Sequence, residues 1–125
     1  MKYTFEIDDK LPSLNEVISA NRSNPYRGAK LKKEVQGLIG IYIRQAKIRN
    51  HLRHIEKPVI VDIEWHERTK KRDADNIQSS QKFILDALVE CGILTDDSRQ
   101  YVKQINHVIM DDKRNRVIVT LREIE

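Results

Sequence analysis

Lys2 to Ile7 alternates with a period of two, placing Tyr3, Phe5 and Ile7 on one face, and this predicts a strand. Asp8 to Pro12 breaks it. Ser13-Leu14-Asn15-Glu16 has the spacing of a capping box and predicts a short helix running towards Ala20. The next stretch, Asn21 to Gly28, reads as loop from its Asn, Ser, Pro and Gly content. From Ala29 to about Arg49 the period changes to that of a helix. Leu31, Val35, Leu38, Ile39, Tyr42 and Ala46 form its core-facing stripe.

After a polar connector, His51 to Lys57, alternation returns. Val59, Val61, Ile63 and Trp65 share one face of a second strand. A basic loop, Arg68 to Arg72, leads through Asp73-Ala74-Asp75-Asn76 into a segment with Ile77, Ile84, Leu88 and Cys91 on one stripe. That spacing predicts one helix from Ile77 to Cys91, ended by Gly92 at the C′ position. Tyr101 to Met110 and Arg116 to Ile124 read as two further strands joined by the turn Asp111 to Asn115. The order is β-α-β-α-β-β, with room for an extra helical turn early. No repeat or linker interrupts it, so residues 1–125 are expected to form a single α/β (α+β) domain, a mixed sheet with helices packed against it.

Composition narrows the class. With 39% hydrophobic and 34% charged residues and only four Gly and three Pro, the chain is neither collagen-like nor low-complexity. The longest apolar run, Leu38 to Ile43, is far too short to span a bilayer. The first residues carry no apolar core of a secretory signal, so a cytoplasmic location is expected. A single cysteine, Cys91, leaves no internal disulfide and no cysteine-rich zinc cluster. The net charge of +4 is unevenly spread: residues 21–57 hold ten Lys/Arg against two Asp/Glu, while both flanks are slightly acidic. Such asymmetry points to a polyanionic partner, although a basic helix face kept for solubility would look the same.

The residues best suited to chemistry are Asp73, Asp75 and Asp97. Hard divalent ions such as Mg²⁺ take oxygen ligands and keep several waters, so two or three carboxylates suffice. Asp75 could instead cap the helix that follows, and Asp96-Asp97 could be ordinary turn residues. The basic loop changes the balance. Carboxylates repel phosphate, and a phosphate binder gains from them only where a metal reverses the local sign. Lys82, seven residues after Asp75, falls two turns along the same expected helix, where it either serves a phosphate or pairs with Asp86 at i,i+4. His51 and His54 have no cysteine or carboxylate partner at zinc-finger spacing, His66 and His107 lie within strand patterns as structural or surface residues, and Cys91 sits on an apolar stripe.

Taken together, Arg72-Asp73-Ala74-Asp75-Asn76-Ile77, Lys82-Phe83-Ile84-Leu85-Asp86-Ala87-Leu88, Gly92 and Asp96-Asp97-Ser98 resemble the RusA family of Holliday junction resolvases. Leu11 to Glu16 is similar to that family's N-terminal proline-asparagine segment. The resemblance implies a Mg²⁺-dependent endodeoxyribonuclease, with Mn²⁺ as a substitute, acting as a homodimer on four-way DNA. Paired nicks would leave 5′-phosphate ends. Asp73, Asp75 and Asp97 would be the metal ligands, and Lys82 would assist cleavage. Arg22, Arg27, Lys30, Arg68, Lys70, Lys71 and Arg72 would hold the DNA backbone. A phage or prophage setting is implied as well. One departure stands out: the interval between the aspartate pair and the lysine is longer than in the family pattern by about one helical turn, with Ser79-Ser80-Gln81 as the extra residues. An ungapped comparison would put Ser79 in the lysine's place. The rivals are a non-catalytic DNA binder of the same fold and a metal nuclease that prefers flaps or forks.

Overall fold

A computed structural model describes residues 1–124. Its elements are β1 (Lys2–Ile7), α1 (Leu14–Ser23), α2 (Pro25–Arg49), β2 (Val59–Glu67), α3 (Ala74–Gln78), α4 (Gln81–Glu90), β3 (Val102–Asp111) and β4 (Arg116–Glu123). The four strands form one mixed sheet in the order β1-β4-β2-β3. β4 is antiparallel to both β1 and β2, whereas β2 and β3 are parallel. The fold class is therefore the α+β class expected from the order of elements.

The alternation predicted for the strands sorts them by face. Tyr3, Phe5 and Ile7, Val61, Ile63 and Trp65, and Val117, Val119 and Leu121 are all buried and join one core with Ile39, Ile43, Phe83, Ile84 and Leu88 of the helices. Each fully buried side chain of this size contributes about 1.5–3 kcal/mol relative to exposure. The opposite sheet face is largely polar, with Lys2, Thr4, Glu6, Asp62, Glu64, Gln104, Asn106, Thr120 and Arg122 on it. There Thr4 and Thr120 lie 3.1 Å apart, and Asp62 is gripped by Arg122 and Asn106.

Two expectations need correction. Asn21–Gly28 is not a loop. α1 runs on to Ser23, and α2 begins at Pro25, so Asn24 alone separates them. Asn24 ends α1 with its backbone N–H on Ala20 and starts α2 with its side chain, which accepts from the Tyr26 N–H at 2.9 Å. Pro25 fits the first turn of a helix, where its missing N–H has no partner to lose. Gly28 is a crossing point: a Cβ there would lie 2.5 Å from the Asn21 Cβ.

The helix expected over Ile77–Cys91 is also two helices, α3 and α4, jointed at Ser79-Ser80. The C′ glycine stands as expected, with Gly92 at φ +77. β3 and β4 are the two strands expected, joined by the expected turn, and in the sheet they lie on either side of β2. The turn that joins them straps the end of β2: the Asp112 N–H donates to the Glu67 carbonyl, and Asn115 Oδ1 accepts from the Arg68 N–H. On α2, the buried stripe includes Ile43, while Leu38 is only half-buried.

Candidate active site

The site is built where β2 ends. Glu67, the last residue of β2, is buried although charged, because Arg72 folds back on it. Arg72 Nη2 and Nε lie 2.9 and 3.1 Å from the two Glu67 oxygens, and Nη1 donates to the Leu11 carbonyl at 2.9 Å. The two side chains are 11% and 8% exposed, so this guanidinium is spent inside the protein. Arg72 is therefore not the surface phosphate contact expected of it. Its sign suits DNA, but its position does not.

The pair fixes the residue that follows. Asp73 occupies the N-cap of α3 with extended backbone (φ −73, ψ 158), yet its carboxylate makes no capping hydrogen bond. Asp75, considered above as the cap, lies instead in the first turn, where Oδ1 accepts from the adjacent Asn76 N–H at 3.1 Å. Both aspartates are exposed. α3 is too short to hold itself and is pinned by the N-terminal segment. Asn15 Nδ2 donates to Asn76 Oδ1 at 2.8 Å, and the Leu14 N–H donates to Ser79 Oγ at 3.0 Å. The buried Ser80 hydroxyl donates to the Pro12 carbonyl at 2.6 Å. Ser79 also donates to the Asn76 carbonyl, so its hydroxyl both accepts and donates within the joint.

Beyond the joint, α4 presents Lys82. Its ammonium is 3.2 Å from Asp86 Oδ1 and 3.7 Å from Asp97 Oδ2. The i,i+4 pair and the contact with the third candidate aspartate are both present. The hydrogen bond to Asp86, then its charge, with the charge of Asp97 behind, hold this ammonium above the ordinary lysine value. Asp97 is half-buried, while Asp96 is the turn residue, accepting from the Asp97 N–H at 2.8 Å.

A hydrogen-bond chain sets the start of α4. The Trp65 indole N–H donates to His107 Nδ1 at 2.9 Å, so the His107 proton is on Nε2 and donates to Gln81 Oε1 at 2.8 Å. The two rings stack with centroids 6.0 Å apart. Burial holds the His107 imidazole below its ordinary value, in keeping with this neutral form. Neither this chain nor the Glu67–Arg72 pair is visible in local sequence patterns. The one available signal for the latter was an acidic residue, Glu67, at the next core-facing position of the alternation after Val59, Val61, Ile63 and Trp65.

Among the described residues no three His, Cys, Asp or Glu side chains converge closely enough to hold one ion. The donor set nonetheless suits a hard cation: three carboxylates, no soft donor, and at Asp73 a carboxylate left unspent by the helix it begins. Of the basic residues singled out from sequence, Arg22, Arg27, Lys30, Arg68, Lys70 and Lys71 are exposed. Lys30 and Lys70 have only loose partners, Glu34 at 4.0 Å and Asp111 at 3.8 Å. Among the described residues no helix is long and apolar enough to cross a membrane.

A protein-family model described as Endodeoxyribonuclease RusA matches residues 9–122 of this 125-residue chain. No curated protein matches it.

Proposed function

From the premise that the chain belongs to the RusA family of endodeoxyribonucleases, we propose that it resolves four-way DNA junctions by paired symmetric nicks, as a homodimer that requires Mg²⁺. The observation that carries the assignment of roles is the approach of the Lys82 ammonium to Asp97, on the helix that follows the aspartate pair.

Asp73, Asp75 and Asp97 would hold the ion. Bound there, Mg²⁺ supplies a Lewis acid for the phosphate oxygen and a water of lowered pKa, with Mn²⁺ able to replace it. Asp86 holds the Lys82 ammonium charged and directed. Lys82 faces the scissile phosphate, where its charge balances the negative charge that grows on the oxygens during cleavage. Arg68, Lys70 and Lys71, with Arg22, Arg27 and Lys30 on the helical corner, hold backbone phosphates without reading bases. Cleavage at the 3′-oxygen side of the phosphate leaves 5′-phosphate and 3′-hydroxyl ends.

The test is a nicking assay on a synthetic four-way junction with and without Mg²⁺, read alongside duplex, flap and fork controls. Asp73→Asn, Asp75→Asn and Asp97→Asn should each abolish nicking while junction binding persists or tightens. Near wild-type nicking by any two of these variants would remove the assignment. Faster cutting of flaps or forks would remove the junction preference.

A further inference from the structure

Every aromatic side chain of the protein is buried or half-buried except one. Tyr26 is 85% exposed, at the second position of α2. The hydroxyls of Tyr3 and Tyr42 are bonded to neighbours, whereas that of Tyr26 has no partner among the described residues. The ring is free, but the backbone that carries it is not. Pro25 precedes it, and Asn24 Oδ1 accepts from the Tyr26 N–H at 2.9 Å. Two residues on, buried Gly28 packs so closely on Asn21 of α1 that no Cβ would fit. The corner between α1 and α2 thus holds one aromatic ring out into solvent at a fixed place.

The surroundings of that ring are cationic. From Val17 to Lys33 the sequence has five Lys/Arg and no Asp/Glu. Arg22 ends α1, Arg27 is next to Tyr26, and Lys30 lies one turn along the same face of α2; all three are exposed. The corner is also tied to the aspartate pair. At the start of α1 the Leu14 N–H donates to Ser79 Oγ, and Asn15 donates to Asn76. Ten helical residues span about 15 Å, the height of about four stacked base pairs, so α1 acts as a strut of that length between α3 and the tip.

We propose that Tyr26 stacks on a nucleobase left uncovered at the branch of the DNA, with the neighbouring phosphates held by Arg22, Arg27 and Lys30. The inference deepens the proposed function and rests on it for the kind of DNA. A ring among cations offers a polyanion something that the cations do not, a flat apolar face. Bases are the flat apolar groups of a nucleic acid, and aromatic stacking on them is tolerant of sequence. In an uninterrupted duplex both faces of each base are covered by its neighbours. A branch or a melted step uncovers one. The lysines and arginines meet phosphates on any duplex, so Tyr26 is the residue of this corner that separates branched from linear DNA.

The test is binding by the full chain in EDTA, where no strand is cut, to a four-way junction, a linear duplex and a single-stranded oligonucleotide. Tyr26→Ala should weaken binding to the junction and the single strand about tenfold and leave duplex binding within about twofold. Tyr26→Phe and Tyr26→Trp should stay within about threefold of the wild type, because the ring and not the hydroxyl makes the contact. Stacking releases no counterions. Tyr26→Ala should therefore keep the wild-type slope of log affinity against log salt, whereas Lys30→Ala should flatten it by about 0.9 on duplex arms. Urea unfolding of Tyr26→Ala should match the wild type, since the ring packs on nothing. In a second measurement, 5-iodouracil within about four nucleotides of the branch should photocross-link to Tyr26. Equal losses on junction and duplex, a phenylalanine variant as weak as the alanine one, or cross-links that all fall on other residues would each overturn the proposal. A protein that never nicks junctions, yet loses single-strand binding in Tyr26→Ala, keeps the stacking residue and loses the endonuclease reading. One that nicks junctions while Tyr26→Ala binds them like the wild type does the reverse.

Discussion

Glu67 and Arg72 meet through two hydrogen bonds of 2.9 and 3.1 Å in a nearly dry setting, and the next residue is the candidate ligand Asp73. Removing one partner leaves the other charge buried alone. Arg72→Ala or Glu67→Gln should therefore cost about 3–5 kcal/mol in urea unfolding. The same variants should lower nicking by misplacing Asp73 even where the protein remains folded. An Arg72 variant of unchanged stability would contradict the buried pair.

Exposed basic residues should behave differently. Lys70→Ala and Lys71→Ala should leave stability within about 0.5 kcal/mol of the wild type. Each should flatten the dependence of log affinity on log salt by about 0.9 per lost phosphate contact on duplex arms. A slope that does not move in the double variant would place this loop away from DNA.

Lys82 and Ser79 can be separated by kinetics. Lys82→Ala should slow single-turnover cleavage by about 10²-fold or more, about 2.7 kcal/mol in the barrier, with little change in junction affinity. Ser79→Ala loses hydrogen bonds to Leu14 and Asn76, and its effect should appear in thermal stability while cleavage by the folded protein stays close to normal. The reverse pattern would move the active cation off α4.

His107 gives a pH signature. Its folded-state value lies below the ordinary 6.5, so the unfolded chain binds the proton more readily. The stability it contributes is complete above about pH 6.5 and is lost as pH falls from there through the lower folded-state value. Asp62, held low first by its hydrogen bond from Arg122, and Asp112, held low first by Arg116, titrate below the ordinary 3.8 and so act in a more acid window. Urea midpoints should decline between pH 7.5 and 5 in the wild type. The decline should be smaller in His107→Gln. Equal declines would show that another group is responsible.

Periodicity was enough for the regular elements. The alternation in β2 and the stripe on α2 were legible because one face of each meets a single core, which imposes its period on the sequence. The helical corner was not. Composition treats Asn24, Pro25 and Gly28 as breakers, whereas here Asn24 caps both adjoining helices, Pro25 opens the second and Gly28 permits their close crossing. The joint at Ser79-Ser80 was hidden for another reason: its partners, Leu14 and Pro12, are more than 60 positions away. At the site, charge and residue type singled out Asp73, Asp75, Asp97 and Lys82. The same criteria placed Arg72 on the surface, because the sign of a side chain says nothing of the direction in which it points.

That joint also bears on how distance along a chain relates to distance in space. In an unbroken helix every added residue swings all that follows by about 100°, so an extra turn's worth of sequence would have to be nearly exact to keep a lysine facing its acid. Between α3 and α4 the rotation does not propagate. The Ser79 and Ser80 hydroxyls are moored to a separate strand of backbone, and α4 takes its heading from Gln81 and His107. The interval from Asp75 to Lys82 thus works as slack between two moorings, and it can lengthen without turning Lys82 away from Asp97.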